Sequence, residues 1–260
     1  MEFTINNTLV TLVTPSFNQG QFIEETILSV LNQSYKNIQY IIVDGGSTDE
    51  TMEVVHRYKD QIDIIINEPD QGQTDAINKG FKLAKGELVG WINSDDVLYP
   101  NCIEKIIAKY VEFPDGAIFY NKYNDKIDSN GVVIESYKKY IVSRDHLLNK
   151  NYDIIQQGSF YNKNFVQQIG YLNIENHYCM DLDLWLRLLK LGHIYHVSDK
   201  STAAFRIWAE AKTSTGNEKF LQNIRMVLIS NGSNLYSRTV LRTFWYEFKV
   251  YLKYLINFLN

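Results

Sequence analysis

Glu87-Leu-Val-Gly-Trp-Ile-Asn-Ser-Asp-Asp-Val-Leu-Tyr-Pro100 joins an apolar run to a cluster of acids. Leu88 to Ile92 has the length and composition of a buried strand in an α/β sheet. It stops abruptly at Asn93-Ser94-Asp95-Asp96. Adjacent carboxylates at the carboxyl end of such a strand repel each other and resist desolvation. A divalent cation relieves both problems, and hard oxygen ligands suit Mg²⁺ or Mn²⁺ held by one or two carboxylates plus the phosphates of a substrate. Open α/β sheets also place their ligands at this edge. The same residues equally suit an Asx-type turn capping a helix near Cys102, and on this stretch alone both readings stay open.

Outward from this strand, the pattern alternates. Thr8 to Thr14 is β-branched and apolar, a first strand, and Pro15-Ser16-Phe17-Asn18-Gln19-Gly20 follows it as a loop. Phe22, Ile23, Ile27, Val30 and Leu31 then recur at helical spacing. Ile38 to Val43 is a second buried strand, ended by Asp44-Gly45-Gly46-Ser47, and a helix opens at Thr48-Asp49-Glu50 and runs to Tyr58. Ile62 to Ile66 is a third strand, and Asp75 to Ala84 is a helix with Gly86 as its C-cap. This alternation predicts an α/β fold with a doubly wound, mostly parallel sheet flanked by helices. Beyond Pro114 the regularity weakens: Ala117 to Tyr120 and Gln157 to Tyr161 read as strands, Asp128-Ser129-Asn130-Gly131 as a hairpin turn, and Asp181 to Leu191 as a short helix ended by Gly192.

The 260 residues are enough to bury a sizeable core, and a formal charge of -4 gives no reason to expect nucleic-acid binding. Cys102 and Cys179 lack metal-ligand spacing and read as reduced intracellular thiols. No stretch approaches the roughly 18 uninterrupted apolar residues of a membrane span, and Met1 to Asn7 is unlike a signal peptide, so a cytoplasmic protein is expected. The five histidines show no metal-ligand spacing and are expected in surface or core positions. The tail from Asn234 to Asn260 is aromatic, basic and periodic. It suits an interfacial helix on the inner face of a membrane, a helix against another subunit, or one closing on its own domain.

The loops at 15–20, 44–47 and 93–96 would lie side by side at one edge of a doubly wound sheet. There Phe17 can stack on a base, Asp44 can accept a base N–H, and Asp95 and Asp96 can reach ribose and metal-bound diphosphate. Neither Gly-x-Gly-x-x-Gly nor a Walker-type Gly-Lys-Ser/Thr is present, which leaves a metal to neutralise phosphate charge. Five ordered blocks, Pro15-Ser16-Phe17-Asn18, Ser29 to Ser34, Asp44 to Asp49, Asp75 to Gly80 and Asn93 to Asp96, together with Met180 to Arg187, resemble the family 2 glycosyltransferases of the GT-A fold. The resemblance covers most of the chain but not the tail.

Such enzymes are inverting and move a sugar from a nucleotide diphosphate, often UDP, to an acceptor hydroxyl. The resemblance implies that Pro15 and Phe17 contact the nucleobase with Asp44 hydrogen-bonding it, that Asp95 sits by ribose and metal, that Asp96 ligates Mn²⁺ or Mg²⁺, and that Asp181 is the catalytic base. Inversion requires a carboxylate to take the acceptor's proton, which fits Asp181; N-capping its helix is the alternative, and one residue can do both. Asp75 and Asn78 either line the donor site or serve the start of their helix, and Trp185 reads as core. Arg206 and Lys212 are available to the diphosphate. On this reading residues 1–113 form a nucleotide-binding half, 114–215 an acceptor-side half of the same GT-A domain, and 216–260 a C-terminal amphipathic helical extension.

Four positions depart from the family pattern. Gly45-Gly46 stands where Asp-Ser or Asn-Ser is common, Asn93 where many members have Asp, Met180 where Glu is frequent, and Arg206-Ile207-Trp208 where many read Arg-x-His. The first hypothesis is a metal-dependent transferase extending a surface polysaccharide or glycoprotein glycan. Trp208 and the tail suggest as an alternative a degenerate member acting as a non-catalytic partner or scaffold. A sugar-nucleotide pyrophosphorylase is a third class, opposed by the lack of a Gly-rich basic loop after the first strand.

Overall fold

A computed structural model of the chain describes residues 7–211 and 217–259. A seven-stranded sheet runs through the chain's first 200 residues. Its strands are β1 (Val10–Ser16), β2 (Ile38–Asp44), β3 (Ile64–Asn67), β4 (Leu88–Trp91), β6 (Ile118–Tyr120), β9 (Phe160–Asn162) and β10 (Ile194–His196). Their order is β10-β6-β9-β4-β1-β2-β3. All pairings are parallel except those of β9, which runs antiparallel between β4 and β6. The doubly wound, mostly parallel sheet expected from the alternating pattern is present, with β9 as the inverted member. β9 is followed by a helix, as β1, β2 and β3 are, so the local sequence does not signal its reversed direction.

Alternate side chains of the central strands serve opposite faces. Val13, Ile41 and Val43 join one apolar cluster, while Leu12, Tyr40 and Ile42 join the other. The second cluster is closed by α1 (Gly20–Leu31), α2 (Thr51–Arg57) and α4 (Cys102–Glu112). The first is closed by α3 (Gln73–Lys82), α5 (Arg144–Asn149), α6 (Lys163–Gln168) and α7 (Met180–Leu188). Trp185 of α7 is fully buried and donates its indole N–H to the Tyr161 hydroxyl at 3.1 Å. Its removal would cost about 3–5 kcal/mol.

Gly86 is not a helix C-cap. The last residue of α3 is Lys82, and Gly86 lies where the backbone passes so close to β1 that a Cβ would meet the Leu9 carbonyl oxygen at 2.6 Å. The helix also starts two residues ahead of Asp75, because Gly72 supplies a φ of 104° at its N-cap.

A second, smaller sheet has the order β5-β11-β7-β8, with β5 (Val97–Leu98), β7 (Tyr123–Ile127), β8 (Val133–Lys138) and β11 (Ala203–Arg206). The turn between β7 and β8 is held by Asp128, whose Oδ1 accepts the N–H groups of Asn130 and Val132, both at 2.9 Å. β11 inserts beside β5, immediately after the Asn93 to Asp96 loop, and carries Arg206 beneath it. Finally, α8 (Asn217–Ser230) and α9 (Arg238–Leu259) pack on α5 and α7, with Ile224, Val227, Leu228 and Val240 in the first cluster.

Candidate active site

The carboxyl ends of β1, β2 and β4 open into a cavity of about 740 Å³. Pro15, Phe17, Asn18, Asp70, Asp95 and Asp181 are among the residues that line it, so loops from both halves of the chain meet there.

The β1 loop is shaped by Asn18, which adopts a φ of 51°, a left-handed conformation that Asn tolerates. Its N–H donates to the Ser47 hydroxyl at 2.7 Å, and its Oδ1 accepts the Thr48 N–H at 2.9 Å. This ties the β1 and β2 loops together and leaves the Phe17 ring 58% exposed at the rim. Below it, Ser16 Oγ and Gln19 Oε1 are buried without a hydrogen-bond partner although their residues line the cavity. Buried polar atoms are ordinarily satisfied, so these two are suited to meet a polar ligand.

Asp44 does not line the cavity. It is fully buried, and it accepts the N–H groups of Gly46 (3.0 Å) and Ser47 (2.8 Å) on Oδ2 and the Ser47 hydroxyl (2.5 Å) on Oδ1. Its carboxylate builds its own loop, and Gly46, at φ 86°, lets that loop close. The acid that does face the cavity from this side is Asp70, in the turn before α3, which sequence reasoning passed over. Its Oδ1 accepts the Gly72 N–H at 2.7 Å. The signal was present: Pro69-Asp70-Gln71-Gly72 is a turn sequence at the carboxyl end of a strand.

The two acids after β4 have opposite orientations. Asp95 lines the cavity, and its Oδ2 accepts the Trp208 indole N–H at 3.0 Å. Asp96 has no exposed surface. Its Oδ2 accepts the side-chain amides of Asn93 and Gln157, each at 3.0 Å, and its Oδ1 accepts the Arg206 N–H at 2.9 Å. Burial pushes the Asp96 carboxyl well above the usual carboxylate range, and the neighbouring Asp95 charge adds to this. Burial also raises Asp95, opposed by the Trp208 hydrogen bond. The oxygens of Asp96 thus hold the floor of the site, and Asp95, the other acid expected at a metal, is the one presented to the cavity.

Arg206 does not line the cavity either. It is buried, and its guanidinium donates to the carbonyl oxygens of Asp95 (2.7 Å), Asp128 (3.0 Å) and Ser129 (3.3 Å) and pairs with Glu25. Its donors are spent on the loop after β4 and the β7–β8 turn, and it clamps the site from beneath. Lys212 lies outside the described residues.

Neither Asp75 nor Asn78 of α3 lines the cavity, although Gln73 of the same helix does. Asn78 is buried and exchanges two hydrogen bonds with the Leu172 backbone, at 2.8 and 3.0 Å. Asp75 accepts the Gln71 N–H at 3.1 Å at the helix start. On the far wall, Met180 and Asp181 line the cavity from the first turn of α7, whose N-cap is Cys179. Asp181 Oδ1 accepts the Leu182 N–H at 2.8 Å.

A divalent cation at this site would draw on these donors. Among the described residues no group of three or more acids, histidines or cysteines is arranged to hold one. A cation of the Mg²⁺ or Mn²⁺ type needs only one or two protein carboxylates when a substrate supplies phosphate oxygens, and Asp95, a hard oxygen donor at the cavity, meets that requirement.

Solved glycosyltransferases share this arrangement of sheet and helices. S. aureus TarS, crystallised with UDP-GlcNAc, superposes with a TM-score of 0.69 at 16% identity, covering 92% of this chain and 70% of that one. The mannosyltransferase PcManGT of Pyrobaculum calidifontis, solved with GDP-Man and Mn²⁺, gives 0.60 at 16% identity over 86% of this chain and 63% of that one. The fold is thus that of the GT-A glycosyltransferases. The family model described as Glycosyl transferase family 2 matches residues 11–170, and the chain belongs to that family. Relatives include an uncharacterised glycosyltransferase of Rickettsia prowazekii, 30% identical over 75% of this chain, and GlyG of Streptococcus pneumoniae, 33% identical over 47% of it. The chain spans 63% and 42% of the length of these two relatives.

Proposed function

We propose that this glycosyltransferase is an inverting enzyme that moves a sugar from a nucleotide diphosphate donor, a UDP-sugar, to a hydroxyl of a glycan acceptor in a surface polysaccharide or glycoprotein. The observation that carries the reading is the meeting of Phe17, Asp70, Asp95 and Asp181 around one cavity. TarS with UDP-GlcNAc and PcManGT with GDP-Man support a nucleotide sugar as the donor class.

In this reading Phe17 and Pro15 take the face of the nucleobase, and Asp70, in place of Asp44, accepts an N–H from its edge. Ser16 Oγ and Gln19 Oε1 find partners in the nucleoside. Asp95 faces ribose and diphosphate, and Asn93 and Arg206 hold its loop in place from below. With Mn²⁺ or Mg²⁺ bound at Asp95, the cation would offset charge on the departing diphosphate.

Asp181 serves as the general base. It accepts the acceptor's hydroxyl proton as that oxygen bonds to the anomeric carbon. The bond from that carbon to the diphosphate oxygen breaks on the opposite face, and its electron pair leaves with the nucleoside diphosphate. Single displacement inverts the anomeric centre. The buried thiols of Cys102 and Cys179 suit a cytoplasmic location.

Calorimetric titration with UDP and UDP-sugars, with and without Mn²⁺, tests the reading. Saturable binding is expected, weakened at least about tenfold in Asp95→Ala, the equivalent of one charge-assisted contact. Absence of nucleotide binding in the wild type would favour the scaffold reading, in which Trp208 permanently occupies Asp95.

A further inference from the structure

Helix α9 is built inside out. The side it turns to the protein is small or polar. Thr239, Val240 and Thr243 are fully buried, Arg242 reaches Asn151 (3.0 Å) and Asp153 (2.7 Å), and Glu247 accepts from Arg225 at 2.7 Å. Up to Leu252 its large apolar residues lie on the outer side, with Phe244 at the edge, where the Arg225 guanidinium sits 4.0 Å from its ring centre. Leu241, Phe244, Trp245, Phe248, Tyr251 and Leu252 are between 38% and 57% exposed. Their spacing of three and four residues places them on one stripe, the reverse of what a helix closing on its own domain presents to water. A contiguous exposed patch of this kind marks an interaction surface.

We propose that this stripe docks on an anionic lipid surface. The charge of the segment argues for that occupant. From Asn234 to Asn260 there are four cationic residues against a single acid, Glu247, in a chain whose net charge is -4. Arg242 is turned inward to Asp153 and Glu247 to Arg225, so among the described side chains the exposed charges of the segment are Arg238 and Lys249, both cationic. Lys249 Nζ lies 3.5 Å over the Trp245 ring, at the boundary between stripe and polar flank, where a long cationic side chain can rest on apolar surface and keep its head in water.

Trp245, Tyr246 and Tyr251 carry the apolar ring and polar tip that suit the headgroup region, and Tyr236, 84% exposed just before the helix, adds another. No helix among the described residues is long and apolar enough to cross a membrane, so the geometry is that of a helix lying in the interface. A second copy of the chain fits less well, because a two-fold contact would set each patch against itself and bring its cations together. None of these residues lines the cavity, so the proposal stands or falls separately from the donor site.

Co-sedimentation of the full chain with lipid vesicles tests it. Vesicles of phosphatidylcholine with about one-third phosphatidylglycerol should bind the wild type at least about tenfold more tightly than phosphatidylcholine alone, and added salt should weaken that binding. The triple variant Leu241→Ser, Phe244→Ser, Phe248→Ser should lose at least about tenfold in affinity for the anionic vesicles. Lys249→Glu, a single exposed charge reversal, should lose about fivefold and guards against a folding defect in the triple variant. Nucleotide titration should be unchanged in both. Equal binding to neutral and anionic vesicles, or no binding to either, would overturn the proposal. A concentration-dependent dimer lost in the triple variant would assign the stripe to a second copy instead.

Discussion

Asn93 shows how one side-chain atom sets the polarity of the site. Its amide N–H donates to Asp96 Oδ2 at 3.0 Å, while its Oδ1 accepts from Gln73 at 2.7 Å. A carboxylate at position 93 would face the buried Asp96 with no proton to offer, so the departure from the commoner Asp supplies a donor where one is needed. Asp125 illustrates the opposite case of a well-supplied acid. Burial raises its carboxyl, but the hydroxyls of Ser201 (2.6 Å), Tyr99 (2.7 Å) and Ser136 (2.7 Å) outweigh that and hold it below the usual carboxylate value. The folded state then binds fewer protons than the unfolded chain. Its contribution is fully present above the unfolded carboxyl's pKa, about 3.9, and is lost as pH falls through the lowered folded value. Asp125→Asn should therefore cost about 1–3 kcal/mol near neutral pH. In urea unfolding the gap to wild type should shrink below about pH 4, and a gap independent of pH would contradict this. Residue type and position at a strand end were legible for Asp44, Asp95 and Asp96. The direction each carboxylate points was not, because the partners that turn Asp96 inward come from Gln157 and Arg206, far along the chain.

Elements divide along the same line. The first half was legible because each buried strand is a continuous apolar run and each helix repeats at helical spacing, so β1 to β4 and α1 to α3 follow from local pattern. The smaller sheet was not. β5 has only two residues, and β11, which closes on it, comes about a hundred residues later, so the pairing that puts Arg206 under the site leaves no local trace. Helix α3 was legible as a helix but not in its use of polar residues. Asn78 looks like a donor-site residue in sequence, yet its amide bridges the N–H and C=O of Leu172 and ties α3 to the chain after α6. Asn78→Ala would leave both backbone groups buried and unpaired, at a cost of about 1–3 kcal/mol. Thermal or urea unfolding should register that loss while nucleotide affinity stays within about twofold of wild type, well under one hydrogen bond's worth. Normal stability with weakened nucleotide binding would return Asn78 to the donor site.

At the scale of the whole molecule, two walls of different origin close on one space. The parallel half of the sheet supplies Phe17, Asp70 and Asp95 from the carboxyl ends of its strands, as open α/β sheets do. The later half supplies Asp181 from the first turn of α7, which the buried Trp185 fixes against Tyr161 and Tyr120. The central claim is a division of labour between those walls: one binds the nucleotide and the other takes the acceptor's proton. It is tested most directly by measuring, in Asp181→Asn, both nucleotide-sugar affinity by calorimetry and the turnover number for transfer. The account predicts affinity within about threefold of wild type and turnover reduced by about 10²- to 10⁴-fold, the range of a lost general base. Turnover within a few-fold of wild type, or nucleotide binding lost along with turnover, would contradict it.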